Sequence, residues 1–203
     1  MKEYKFQLFP LRFLSGTFDR SELEALFQTH WKNGFRFVKR EFSLEPKKVF
    51  VFFQKLAFGI LFEKNPEIPE KNKDVLLLDY KTRFFTSTID MQRLSRTLNE
   101  PAAMGYDLVF GFKYPARFFF IFPRECYFFI FTKPASESSS PKKIHLLEHH
   151  YRLWTQTIDE KAYEADLNHF LKDKELKFSL RDEKRKFGGL LLLRTAVVIA
   201  QSG

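Results

Sequence analysis

The chain has 203 residues, with 34 Lys and Arg against 25 Asp and Glu, a net charge of +9, and 44% apolar content. That much apolar surface offsets the entropy of folding and excludes a disordered chain. A single cysteine excludes an internal disulfide framework and a cysteine-built metal site.

The first 16 residues are interrupted by Lys2, Glu3, Lys5, Gln7 and Arg12. This is not the unbroken apolar stretch of a signal peptide, so a cytoplasmic location is expected, and the lone Cys126 fits a reducing compartment. A first strand is predicted over 4–14. Thr17 and Asp19 follow, residue types that accept hydrogen bonds from free amides at a helix start, and Glu22 completes a capping-box-like pair with Asp19. Leu23, Leu26, Phe27 and Trp31 recur at helical spacing. Gly34 stands where a left-handed helix terminator is wanted. Apolar strands are predicted over 35–42 and through Ile60, Leu61 and Phe62.

The same order then recurs. Arg12, Phe13, Leu14, Ser15, Gly16, Thr17, Phe18, Asp19 match residues 83–90 (RFFTSTID) at an offset of 71, and these match residues 152–159 (RLWTQTID) at an offset of 69. The shared pattern is Arg, two apolar residues, Ser or Thr, any residue, Thr, an apolar residue, Asp. Gly34-Phe35 and Gly105-Tyr106 share the offset of 71, and 46–53 aligns with 115–122 at 69. A second unit therefore has a strand over 75–85, a helix with Leu94, Leu98 and Ala102, a strand over 106–112 and a last strand at Ile130-Phe131. Pro101 is expected to kink or stop its helix. The third unit has strands over 146–154 and 176–180, a helix with Tyr163, Leu167 and Phe170, and a last strand at Val198-Ile199. It lacks the glycine, and Gly188-Gly189 fall where the other units are apolar. Segments 63–74 and 133–143 read as polar, Pro- and Ser-containing connectors. The expected fold is α+β: three tandem βαββ units at 1–70, 71–138 and 139–203, mostly antiparallel sheet with three helices, packed around a pseudo-threefold axis or as a continuous sheet.

Gly34-Phe35-Arg36-Phe37-Val38, after a helix opened by Thr17-Phe18-Asp19, resembles a family of small bacterial βαββ domains whose helix runs into a Gly-Trp-Glu-Leu-Val-like strand. Phe35 and Tyr106 stand where that family has Trp. The resemblance implies the unit's fold and brings no catalytic residue and no cofactor with it.

Residues 118–131 (FFFIFPRECYFFIF) are the most apolar window. Each half is shorter than the roughly 20 residues a helix needs to cross a bilayer, so two buried strands around a turn are expected, and no membrane partner. Cys126 in this window reads as a buried, inert thiol. His145, His149 and His150 could hold a metal only on a helix; in the predicted strand His149 and His150 point to opposite faces, so no metal site is expected. Neither a phosphate-cradling glycine loop nor a nucleophile elbow is present. The expectation leans away from an enzyme and names no cofactor.

Arg12, Arg83 and Arg152 precede the three helices. Each could bridge to its own Asp19, Asp90 or Asp159; alternatively, the three guanidinium groups could converge on one anion site. The charge is spread evenly: 12 basic against 9 acidic residues in 1–70, 10 against 7 in 71–138, and 12 against 9 in 139–203, which is +3 in each. The function expected is a non-enzymatic binding or assembly module for a protein, a hydrophobic ligand or a small anion. The alternative is RNA binding through a basic, aromatic sheet face. The 27 phenylalanines divide 13, 11 and 3 among the units; they reflect either compositional drift or an aromatic contact face between units one and two.

Overall fold

Three aspartates stop an extended segment and start a helix. Asp19, Asp90 and Asp159 are themselves extended, and each side chain accepts from the amide of a residue in the first turn that follows. The helices are α1 (Arg20–Lys32), α2 (Met91–Ala103) and α3 (Glu160–Leu171). In this computed structural model the described residues are all except 1, 13–14, 51–52, 67–72, 84–87, 119–121, 136–139, 153–156, 173, 186–191 and 203. Side chains at 46–55, 117–123 and 177–194 are also outside the description. The central residues of the three Arg-to-Asp motifs, the middle of both connectors and Gly188-Gly189 therefore lie outside the described residues.

The strands are β1 (Glu3–Pro10), β2 (Arg36–Phe37), β3 (Ser43–Phe50), β4 (Phe53–Lys64), β5 (Lys73–Lys81), β6 (Asp107–Phe118), β7 (Phe122–Pro134), β8 (Lys143–His150), β9 (Glu175–Arg185) and β10 (Leu192–Ser202). The fold is α+β, and every ladder among the described residues is antiparallel. The ladders form three separate sheets rather than one continuous sheet. Their orders are β1-β4 with β2 and β3 both on β4, then β5-β7-β6, then β8-β10-β9. The element order strand, helix, strand, strand occurs in the second and third sheets, and the first has strand, helix and three strands. Registers agree as well: Pro10 faces Ala57, Lys81 faces Cys126 and His150 faces Thr195, steps of 71 and 69 residues in the first strand and 69 in the last.

Several boundaries differ from the sequence expectation. The first strands end at Pro10, Lys81 and His150, four residues before the expected 14, 85 and 154. Glu63, expected in a connector, is in β4, as Lys133 and Pro134 are in β7. Pro101 lies in the last turn of α2, which runs only two residues beyond it. Gly34 and Gly105 close α1 and α2 with φ of 79° and 84°. The next amides, Phe35 and Tyr106, reach back to the carbonyls of His30 and Pro101 at 2.9 and 3.1 Å, a left-handed termination that favours glycine.

The expected strand over 35–42 is split. β2 and β3 are separated by a 3-10 turn at Lys39–Glu41, and the six-residue step from Phe37 to Ser43 faces a three-residue step from Phe62 to Gly59. At the corresponding place β6 slips by one residue between Leu108 and Phe110, and β9 between Leu176 and Phe178. The irregularity thus recurs in all three sheets and is longest in the first.

Two cores lie between successive sheets. One joins Leu23, Phe27, Phe58, Ile60 and Phe62 to Val75, Leu77, Cys126, Phe128 and Ile130 of the second sheet. The other joins Leu94, Leu98, Tyr127, Phe129 and Phe131 to Ile144, Val197 and Ile199 of the third. Alternate residues of β7 serve different cores because strand side chains alternate between faces. The apolar run 126–131 of β7 is therefore buried on both sides; the side chains at 118–123, the other half of the expected window, lie outside the described residues. Phenylalanines meet across the first core. Phe128 stacks on Phe58 at 5.5 Å and meets Phe18 edge-on at 5.1 Å, while Phe42 lies 4.8 Å from Phe112. Several phenylalanines of the first two sheets thus form an aromatic cluster between them, where each fully buried ring contributes about 1.5–3 kcal/mol.

Candidate functional site

The repeated arginines come first, because the sequence singles them out. Each makes the same two contacts within its own unit. The backbone amides of Arg12, Arg83 and Arg152 donate to the carbonyls of Thr17, Thr88 and Thr157 at 2.6, 2.9 and 2.9 Å. Their guanidinium Nη2 atoms donate to Asp19, Asp90 and Asp159 at 2.7, 2.8 and 2.6 Å. The arginine closes the loop and holds the carboxylate that caps the helix. The side-chain hydrogen bond from Ser21 and the amide of Glu22 hold the Asp19 carboxyl below its ordinary range. For Asp90 and Asp159 the leading cause is the arginine itself. The triplet presents three neutral pairs, each in its own loop.

The histidines take separate partners. His149 and His150 are neighbours on β8, one buried and one exposed. His149 Nδ1 meets Asp166 at 2.8 Å, His145 Nε2 meets Ser202 at 3.0 Å and His150 Nδ1 meets Thr195 at 3.3 Å. Among the described residues no three His, Cys, Asp or Glu side chains form a metal-binding group. Cys126 is buried. Burial, with the Asp79 carboxylate beside it, pushes its thiol up to about 12, so the thiolate nucleophile is absent near neutral pH. The Tyr114 hydroxyl donates to Asp79 at 2.7 Å, and burial raises the Asp79 carboxyl above its usual range. Among the described residues no helix is long and apolar enough to cross a membrane.

Two features outside the expected site residues distinguish this chain. The first is a cleft of about 500 Å³ between the first and second sheets, lined by Trp31, Arg36, Lys39, Arg40, Lys73 and Thr132 among others. At the next junction Gln201 fills the corresponding place: its Oε1 accepts from the buried amide of Leu108 at 3.0 Å and its Nε2 donates to Asp107 at 3.2 Å. Thr132, 69 residues earlier, is too short for that reach, and the cleft opens beside it. The Trp31 indole Nε1 is buried without a hydrogen-bond partner.

The second feature is the outer face of the first sheet. Tyr4, Phe6 and Leu8 alternate along β1, so they share one face, and they are 56%, 58% and 37% exposed. Val75 and Ile144, aligned with Tyr4, are 5% and 2% exposed, and Leu77, aligned with Phe6, is fully buried; Leu146, Asp79 and Glu148, at the remaining aligned positions, are half-buried. The cover is the helix of the preceding unit. Glu24 of α1 accepts from the Leu77 amide at 2.8 Å, and Asn99 of α2 bonds both backbone groups of Ile144. Sequence reading predicts the first strand but not which of its faces is covered, since the helix that covers each of β5 and β8 comes from an earlier part of the chain. Neither Glu24, Asn99 nor Gln201 carries a motif that would mark it.

No family model, no curated protein and no solved structure matches the chain.

Proposed function

We propose that this chain is a non-enzymatic assembly module, three copies of one βαββ unit at 1–70, 71–138 and 139–203, that engages a protein through the outer face of its first sheet. The observation that carries this reading is the exposure of Tyr4 and Phe6, with Leu8 beside them, where the aligned Val75, Ile144 and Leu77 are covered. An apolar strip on a sheet face costs solubility unless a partner removes it from water. The face is electrically balanced. Lys2 and Arg36 are both ion-paired to Glu63, at 2.7 and 2.8 Å, and Glu45 lies beside Phe6 over Gly59. That balance favours a protein over the phosphate backbone of RNA. The test is a benzophenone side chain at position 6 of the full chain in its native host. Protein adducts that are absent when the same probe replaces exposed Lys32 support the reading. Adducts with RNA alone, or no adducts, overturn it.

A second reading rests on the cleft. Its basic lining and the unpartnered Trp31 Nε1 suit a small phosphate- or carboxylate-bearing ligand. Inorganic pyrophosphate, titrated at low salt into Trp154→Phe protein, is expected to change Trp31 fluorescence. Arg40→Glu is expected to weaken that response at least tenfold. An unchanged spectrum removes this reading.

A further inference from the structure

The occupant of the first sheet's outer face can be read from the molecule itself. At both internal junctions a helix from one unit lies along the free edge of the next unit's first strand: α1 on β5 and α2 on β8. The edge contact is specific. Glu24 takes the Leu77 amide, and Asn99 takes the amide and carbonyl of Ile144 at 2.8 and 2.9 Å. These backbone groups face away from the sheet because β5 and β8 are edge strands. β1 is also an edge strand, and among the described residues no helix lies along its free edge.

The complementary end is equally open. α1 buries Leu23, Phe27 and Trp31, and α2 buries Leu94, Leu98, Pro101 and Ala102, whereas no residue of α3 is buried. Tyr163 and Leu167, which align with Leu23/Leu94 and Phe27/Leu98, are only half-buried. α3 also carries the two residues needed to hold an edge strand. Glu164 aligns with Glu24, and Asn168 aligns with Asn99; both are exposed. The strand that would receive them is β1, where Tyr4 aligns with Ile144 and Phe6 aligns with Leu77.

We infer that the partner of the first sheet is α3 of a second copy of this chain, docked head to tail as α1 docks on β5 and α2 on β8. The inference rests on the assembly reading above and names its partner. Asn168 of one copy then brackets the Tyr4 backbone of the next, Glu164 takes the Phe6 amide, and Tyr4, Phe6 and Leu8 become buried. Such a contact joins two different surfaces, so it propagates into a ring or a filament.

The experiment uses complementary variants of the full chain, with folding checked by circular dichroism. Wild-type protein, followed by light scattering from about 1 to 200 μM, is expected to rise in mass above the 24.3 kDa monomer; this range brackets micromolar affinities. Phe6→Glu blocks one surface, and Glu164→Lys with Asn168→Lys blocks the other. Each variant alone is expected to remain monomeric. Mixed, they retain one intact pair of surfaces and are expected to form a 1:1 dimer and nothing larger. A wild-type chain that stays monomeric throughout, variants that still assemble, or a mixture that forms no dimer would overturn the inference. The position-6 probe separates the two levels. Adducts only to a different protein sink self-assembly and leave the assembly-module reading standing; no protein adduct sinks both.

Discussion

Asn99 on α2 and Ile144 on β8 bond to each other twice: the Asn99 side-chain amide donates to the Ile144 carbonyl at 2.9 Å and its oxygen accepts from the Ile144 amide at 2.8 Å. A side-chain amide offers one donor and one acceptor in the spacing of a backbone peptide, so Asn99 pairs with the edge strand as another strand would. Replacing it with Leu keeps the helix and removes both bonds. At about 0.5–1.5 kcal/mol per bond, Asn99→Leu is expected to cost about 1–3 kcal/mol. The measurement is urea unfolding; a midpoint equal to that of the wild type would show that the seam does not depend on this residue.

Gln201 seals the same junction from the other side. Its oxygen is the partner of the buried Leu108 amide, and truncation leaves that amide unsatisfied. Gln201→Ala is expected to cost about 1–3 kcal/mol for the orphaned group. Faster hydrogen exchange at the Leu108 amide is the site-specific check.

Phe128 lies between Phe18, Phe42 and Phe58. Phe128→Ala opens a cavity among rings that cannot all move inward, and a loss of about 3–5 kcal/mol is expected. Phe129→Ala, on the opposite face of the same strand and equally buried, should lose a similar amount. A much smaller loss at Phe128 would mean that the first two sheets separate easily.

The three capping aspartates set an acid dependence. Their carboxyls titrate below the ordinary value of 3.8 when folded. The stabilisation they provide is therefore fully present above that value and is lost as pH falls through their lower folded values. Asp79, raised by burial, works in the opposite sense. Asp90→Asn retains an oxygen for the Arg93 amide and removes the charge held by Arg83. It should lower stability at pH 7 and flatten the loss between pH 5 and 2, as followed by thermal unfolding.

Cys126 should be silent. Its thiol is buried and pushed up to about 12, so a thiol-reactive reagent at pH 8 is expected to label the unfolded chain and leave the native one unlabelled over the same time. Prompt labelling of native protein would show that β7 opens readily.

The order of strands and helices was legible in the sequence because local chemistry decides it. Asp19, Asp90 and Asp159 satisfy free amides wherever the chain goes next, and Gly34 and Gly105 relieve a steric conflict within one residue. The α+β class follows from that order. The same local logic limited what could be read about a site: Arg12, Arg83 and Arg152 recur, yet a recurrence cannot show whether three cations meet one anion or three aspartates. Tertiary structure placed each beside its own aspartate. It also decided which apolar face is buried. Tyr4, Val75 and Ile144 occupy aligned positions and look alike as sequence, but Val75 and Ile144 are covered by the helix that comes before each in the chain, and Tyr4 lies open. Burial of a strand is a property of its neighbour, and that neighbour lies about 50 residues away along the chain, so no local pattern could reveal that the first sheet has one face open.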